Sequence, residues 1–197
     1  MNGPAPTASL ARFDAVFSTC ERAVLAYAMR RTRTFADAED AAAETFTIAW
    51  RKIDTVPRDD PLPWLYAVAR RVLANQRRGN GRRERLTALL RVDDVPTPIR
   101  AGEDLDGPAF EALASLSAAD QEILRLVAWE DLGNQQIASV LAISANAVAI
   151  RLHRARARFA AALSRQPGTD DLKYLDPSRT SADVKGTDGA AWKGVAE

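Results

Sequence analysis

Two short amphipathic stretches flank a three-residue turn in residues 134–158, and this arrangement restricts the folds open to the chain. In the first stretch, Ile137 and Val140 recur at the spacing of one helical face. Asn134 and Ser144 are placed to cap the first and the second helix. The pattern predicts a helix-turn-helix.

The second helix of this motif separates apolar from polar side chains. Its predicted buried stripe contains Val148, Leu152, Ala155, Phe159 and Ala162. The opposite face carries Asn146, Ile150, His153 and Arg154. In a DNA major groove Arg pairs with guanine and Asn with adenine, so this face is typical of a DNA reader. The alternative is an ordinary helical hairpin with a solvated basic face.

Charge is segregated along the chain although the formal net charge is only +1. Residues 70–85 contain seven arginines and one acid, and residues 145–165 contain five arginines and no acid. Acidic residues concentrate in 37–44 and 93–106. This alternation predicts nucleic-acid contacts for the basic segments and protein contacts for the acidic ones.

Breaker residues predict two domains rather than one. Residues 91–108 hold three prolines, two glycines and five acids with little periodicity. We therefore expect an all-α protein with two small helical domains, 1–86 and 109–165. A flexible linker at 87–108 would join them, and 166–197 would form a disordered or regulatory tail.

The chain has one cysteine, Cys20, and one histidine, His153. That inventory predicts no disulfide, no metal site and no cofactor, and it leaves nothing from which to build a catalytic constellation. Cys20 lies in an apolar helical run and is predicted to be a small core residue. We find neither a signal peptide nor a membrane span, so the expected location is the cytoplasm.

The first half is predicted to contain three helices. The first spans about 10–31, the second begins after Thr34, which forms a capping box with Asp37, and ends at about Lys52, and the third begins at Pro61 with Asp60 as cap. The second helix has two features of interest. Asp40 and Glu44 stand one turn apart as an acidic edge, for which a merely solvated face is the alternative, while Phe46 and Trp50 indicate a packed seam.

The third helix has a polar stripe that includes an aromatic side chain. Trp64, Arg71, Asn75 and Arg78 fall within a narrow arc, and Tyr66, Arg70 and Arg77 form a second polar flank. Aromatic rings and arginines on one exposed stripe are typical of a surface that holds unpaired bases. The alternative is that the tryptophan only covers the edge of the core.

Three segments together resemble a known family. DAEDAAAETFTIAW, PLPWLYAVARRVLANQRR and LSAADQEILRLVAWEDLGNQQIASVLAISANAVAIRLHRARARF occur in the order found in the extracytoplasmic-function (ECF) group of bacterial sigma factors. The resemblance implies that the first domain is region two, which binds the clamp helices of the polymerase β′ subunit and opens the minus-ten element. It implies that the second is region four, which binds the β flap and reads the minus-thirty-five element.

The resemblance also implies site residues. Core polymerase would be bound by Asp40, Glu44, Phe46 and Trp50. The minus-ten strand would be bound by Trp64, Arg70, Arg71, Asn75, Arg77 and Arg78. The minus-thirty-five duplex would be read by Asn146, Ala149, Ile150, Arg151, His153 and Arg154. An anti-sigma protein is a further expected partner.

Some positions depart from the family pattern. Arg71 stands where Asn is frequent, and Ala149 and Ile150 stand where polar readers are common. Ala142 occupies a turn position where glycine is frequent, and we expect a negative φ there.

The competing function is a free-standing helix-turn-helix regulator that dimerises through its N-terminal helices.

Overall fold

The computed structural model describes the backbone of residues 6–90 and 107–165, and the side chains of 7–79 and 107–165. These residues form seven α-helices and one short 3₁₀ turn, with no strand among them. The predicted all-α class is confirmed. The greater part of the predicted linker and the whole predicted tail lie outside the described residues.

The first half contains three helices and the 3₁₀ turn: α1 (Pro6–Met29), α2 (Phe35–Arg51), the turn Ile53–Thr55, and α3 (Leu62–Leu90). Thr34 caps α2 as predicted, because its hydroxyl oxygen accepts a bond from the Asp37 backbone amide at 3.1 Å. Cys20 is buried among apolar side chains of α1, α2 and α3, which confirms the core prediction. Burial raises the pKa of its thiol, and the charge of Asp60 adds to the effect.

The third helix differs from its prediction in two ways. It begins at Leu62 rather than Pro61, and the Asp60 carboxylate accepts a bond from the Gln136 side chain at 2.8 Å instead of capping the helix. Tyr66 is buried rather than on a polar flank, because its ring stacks on Tyr27 with centroids 4.8 Å apart. This burial raises the pKa of Tyr66 to about 12.

The second half contains four helices: α4 (Pro108–Ala114), α5 (Ala118–Ala128), α6 (Asn134–Leu141) and α7 (Ala145–Leu163). The predicted stripe of α7 faces inward, with Val148, Leu152, Ala155 and Ala162 buried and Phe159 half-buried. Asn134 is the first helical residue of α6 and not its cap. Gly133 precedes the helix, and its backbone amide donates to the Gln136 side-chain oxygen at 2.9 Å.

The two halves pack against each other. One apolar cluster contains Tyr27 and Leu73 from the first half together with Leu126, Ile137 and Leu152 from the second. Helix α6 lies on α3. Since Tyr27, Leu126 and Ile137 are fully buried, this contact is part of the protein interior rather than a loose surface contact.

No single helix among the described residues has the length and hydropathy to cross a bilayer. Only α6 and α7 taken together pass that test, and they are bent by 99° at their junction.

Candidate nucleic-acid and polymerase interfaces

The helix-turn-helix predicted from residues 134–158 has the expected geometry. Helices α6 and α7 meet at 99°, within the range of this motif. Ser144 begins α7 as predicted, because its hydroxyl oxygen accepts a bond from the Ala147 amide at 3.1 Å. Since Val148 and Leu152 anchor one side of α7 in the core, its other side is fixed in orientation toward solvent.

Ala142 ends α6 in the left-handed region, with φ 54° and ψ 47°. The expectation of a negative φ was therefore wrong. The turn requires this backbone because the Ile143 amide donates back to the Ala138 carbonyl at 3.1 Å. A side chain at positive φ is strained, and glycine would remove that strain.

We expect Ala142→Gly to raise the free energy of unfolding by about 1 kcal/mol, because glycine adopts the left-handed conformation without steric conflict. Urea unfolding followed by circular dichroism measures the change. Ala149→Gly is the matched control, since it removes the same methyl group from an exposed position inside α7. It should instead lower stability by about 1 kcal/mol. A loss of stability in Ala142→Gly would contradict the inference that the backbone of Ala142 is strained.

The outer face of α7 presents all the side chains predicted to read the minus-thirty-five element. The exposed residues are Asn146, Ala149, Ile150, Arg151, His153 and Arg154. Their contact with DNA stays a prediction. Arg158, on the same helix, is otherwise engaged, because its guanidinium holds both oxygens of Asp120 at 2.8 Å. This pair ties α7 to the first turn of α5.

The predicted polymerase edge on α2 is partly exposed. Asp40 and Glu44 face solvent, and Trp50 is 44% exposed. Phe46 is only 4% exposed, so it can act on a partner only by supporting its neighbours. Its ring packs edge-on against Phe17 of α1, with centroids 4.9 Å apart. The seam is thus confirmed, while binding of polymerase by these residues stays a prediction.

Sequence analysis missed that α1 contributes to this surface. Phe13 packs edge-on against Trp50 with ring centroids 5.3 Å apart, and Phe17 is 36% exposed beside it. The spacing of Phe13 and Phe17, one helical turn, was the available signal. It indicated a buried face of α1 and did not show that this face ends at a half-open aromatic cluster.

The predicted minus-ten stripe on α3 differs in exposure along its length. Arg70, Arg71, Asn75, Arg77 and Arg78 are exposed, as expected. In contrast, Trp64 is half-buried and packs against two apolar clusters, one that joins the two halves of the protein and one within the first half. The exposed aromatic predicted here was therefore wrong.

Trp64 also borders a groove between the two halves of the protein. A groove of about 930 Å³ separates the Trp64 end of α3 from Gln135, Gln136 and Ser139 of α6. In this arrangement α6 lies over the surface to which the minus-ten role was assigned.

A buried polar network between the two halves was not predicted at all. The Arg31 guanidinium donates to Glu122 at 2.9 Å and to Glu130 at 3.0 Å, and Arg30 also donates to Glu130 at 3.0 Å. The Tyr27 hydroxyl donates to Glu122 at 2.8 Å. The Arg31 and Glu130 side chains are 2% and 0% exposed.

This network changes the pKa of Arg31, and Tyr27 is shifted with it. Burial would lower the pKa of Arg31, but Tyr27, Glu122 and Glu130 outweigh it and raise that pKa above its ordinary value. Burial raises the pKa of Tyr27. Arg31 therefore stays a cation across the physiological range, and its charge is compensated by the two carboxylates of the other half.

Comparison with known proteins identifies the two halves. Residues 16–83 match the model described as Sigma-70 region 2, and residues 109–159 match the model described as Sigma-70, region 4. The sigma factor NccH of Alcaligenes xylosoxydans xylosoxydans is 30% identical over 64% of this chain and 73% of its own length. SigL of Mycobacterium tuberculosis, described as an ECF RNA polymerase sigma factor, is 29% identical over 77% of this chain and 88% of its own length. The chain belongs to the ECF group of bacterial RNA polymerase sigma factors.

Other sigma factors share parts of this pattern. RfaY of Xanthomonas campestris pv. campestris is 30% identical over 74% of this chain, and the match spans 38% of the length of RfaY. In fold, the chain is similar to the sigma factor RpoE of Bartonella quintana, with a TM-score of 0.59 and 23% identity over 78% of this chain and 98% of RpoE. Sigma region two thus comprises α1 to α3, and region four comprises α4 to α7.

Proposed function

We propose that this ECF sigma factor directs core RNA polymerase to its promoters, with region four reading the minus-thirty-five duplex and region two opening the minus-ten element. The observation that carries the proposal is the occurrence of both sigma regions, in order, on one chain. Each has an exposed basic helix: α3 carries Arg70 and Arg71, and α7 carries Arg151 and Arg154.

Region four is proposed to place the outer face of α7 in the major groove. Arg151, His153 and Arg154 are the groups with hydrogen-bonding capacity there, together with Asn146 at the start of the helix. Ala149 and Ile150 offer only apolar contact, which suits thymine methyl groups. Selectivity should therefore come from few base contacts and from DNA shape.

Region two is proposed to hold the opened strand along α3. Arg70, Arg71 and Asn75 are exposed and can contact phosphates and bases. Trp64 is half-buried and lines the groove beside Gln136, so a base that stacks on it would have to enter that groove.

The proposed partners are core polymerase, promoter DNA and an anti-sigma protein. The acidic edge of Asp40 and Glu44, with the aromatic cluster around Trp50, is the proposed contact with the polymerase β′ clamp. Region four is proposed to contact the β flap. The Bartonella RpoE structure is described as a complex with the anti-sigma factor NepR, which supports an anti-sigma partner for this chain. Polymerase would perform the chemistry, and the location would be the cytoplasm.

The competing function, a free-standing regulator that dimerises through its N-terminal helices, is not favoured. Residues 16–83 match sigma region two rather than a dimerisation domain.

Transcription with core polymerase tests the proposal. We expect discrete start sites on genomic DNA only when core polymerase and the full chain are present together. Glu44→Lys should abolish these transcripts, because it reverses a charge at the proposed clamp contact. Glu21→Lys is the control, as it makes the same change at an exposed position of α1. Absence of specific transcripts, or an equal loss in both variants, would overturn the proposal.

A further inference from the structure

An arginine-rich cavity of about 900 Å³ lies between region two and region four. Helix α3 forms one wall, and α5 and α7 form the other. Among the described residues that line it, eight are arginines and only Asp120 and Glu122 are carboxylates. Its volume is that of a small-molecule site, too small for a DNA duplex.

Both carboxylates already have cationic partners. Asp120 binds Arg158 through both oxygens at 2.8 Å, and Glu122 binds Arg31 at 2.9 Å. A third arginine of the lining, Arg77, donates to the Arg31 backbone carbonyl at 3.0 Å. No negative charge of the described lining is therefore left for the remaining arginines.

Four of these arginines have no described partner, and they come equally from the two regions. Arg70 and Arg71 project from α3, while Arg151 and Arg154 project from α7. Packing of the two regions brings these like charges to one cavity, which is electrostatically unfavourable. A multivalent anion that contacts both walls would offset this repulsion.

Two other features of the lining bear on its charge. Arg31 belongs to the lining, but its side chain is 2% exposed, its guanidinium carbon lies 3.5 Å from the centre of the Tyr27 ring, and Glu122 and Glu130 compensate its charge. The Arg31 Nη2 and Glu130 Oε2 atoms are both buried without a hydrogen-bond partner, so Arg31 belongs to the interior network and is not counted among the free cations of the cavity. Ser117 and Ala118, at the start of α5, also line the cavity and place the positive end of a helix dipole there.

We propose that this cavity binds a small polyphosphate anion that bridges region two and region four. Guanidinium groups bind phosphate oxygens in bidentate pairs, and a chain of phosphates can reach arginines on both walls. The bound anion stabilises the packed arrangement and keeps Arg70, Arg71, Arg151 and Arg154 away from DNA. This consequence for promoters rests on the proposed sigma function, whereas the binding itself does not.

Calorimetric titration of the full chain with magnesium-free inorganic tripolyphosphate tests the site. Arg151→Ala should weaken binding about tenfold, because a charge-assisted bond is lost. Arg156→Ala removes the same charge from an exposed position of the same helix outside the cavity lining, and it should leave the affinity unchanged. Equal weakening in both variants would overturn the proposal, since general charge attraction would then suffice.

A second pair of variants tests whether the packed arrangement is required. Glu130→Ala removes the acceptor of Arg30 and Arg31 and should weaken tripolyphosphate binding about tenfold, as fewer molecules have both walls in place. Glu111→Ala changes the net charge equally at an exposed site of α4. If the anion were bound only by the overall positive charge, removing a carboxylate would tighten tripolyphosphate binding in both variants. Tighter binding in Glu130→Ala would therefore contradict the bridging site.

Two further measurements control for loss of the folded structure and identify the class of ligand. Tyr27→Phe keeps every charge and removes only the hydroxyl bond to Glu122, so it should fold and still weaken binding about threefold. An unchanged affinity in Tyr27→Phe would overturn the proposal. Equal affinity for tripolyphosphate and ATP would identify the phosphate chain as the ligand. Tighter binding of ATP would identify a nucleotide as the ligand. Equally tight binding of a tetraglutamate peptide would overturn phosphate selectivity and the proposal.

Discussion

Arg31→Met is expected to lower the stability of the full chain by about 3–5 kcal/mol, because it removes the cation of a buried network. Among the side chains that the structure describes, only Arg31 binds both Glu122 and Glu130. Without it, two carboxylates of region four lose their main counter-charge in an interior where water cannot replace it. Urea unfolding followed by circular dichroism measures the change.

Arg22→Met is the matched control, since Arg22 is exposed on α1, which ends at Met29 shortly before Arg31, and its replacement should change stability by about 0.5 kcal/mol or less. Combining Arg31→Met with Glu122→Leu and Glu130→Leu should recover much of the lost stability, because three apolar side chains then replace two buried carboxylates that have lost their cation. A loss below about 1 kcal/mol in Arg31→Met would mean that the network adds little to the packing of the two regions.

Binding of region four to DNA is expected to lose about 40-fold in affinity between 50 and 200 mM salt. Arg151, Arg154 and Arg156 are exposed on α7 without a described partner, which predicts a log–log slope of roughly −2.7. Arg158 is excluded because Asp120 binds it through two bonds. Fluorescence anisotropy with the full chain and a duplex containing a mapped minus-thirty-five element measures the slope.

Asp120→Ala provides the internal comparison for this slope. The variant releases Arg158, so the slope should steepen to roughly −3.6 if that arginine then reaches a phosphate. Glu111→Ala, which removes an exposed acid of the same region, should leave the slope unchanged. A wild-type slope near zero would contradict phosphate contact by α7, and a steep slope that is insensitive to Asp120→Ala would contradict the sequestration of Arg158.

Sequence analysis performed well wherever the physical cause is local. The Thr34 and Ser144 caps follow from side chains that bond to an amide three residues away, and both were predicted. The inner stripe of α7 follows from helical periodicity, and Val148 and Leu152 are buried as expected. The same periodicity identified an exposed reading face on that helix.

Errors occurred wherever a distant part of the chain changes the local environment. Periodicity placed Tyr66 on a polar flank and Trp64 on an exposed stripe, but Tyr27 covers the former and α6 lies beside the latter. Asp60 was predicted to cap α3, but its carboxylate accepts a hydrogen bond from Gln136, which is 76 residues away in the sequence. Ala142 adopts a positive φ because the chain must reverse there for α7 to pack, and the glycine that is frequent at this position in the family was the available signal.

Helix positions, the helix-turn-helix and the family of this protein can be obtained from the amino-acid sequence, because they depend on residues a few positions apart and on motif order. The packing of region two on region four cannot. It depends on pairs such as Arg31 and Glu130, 99 residues apart, which have meaning only once a common surface brings them together. Trp64 lies half-buried at the edge of that surface, which also gathers arginines of α3 and α7 around one cavity. Long-range burial, not local pattern, thus decides which of the predicted DNA-binding residues are free to bind.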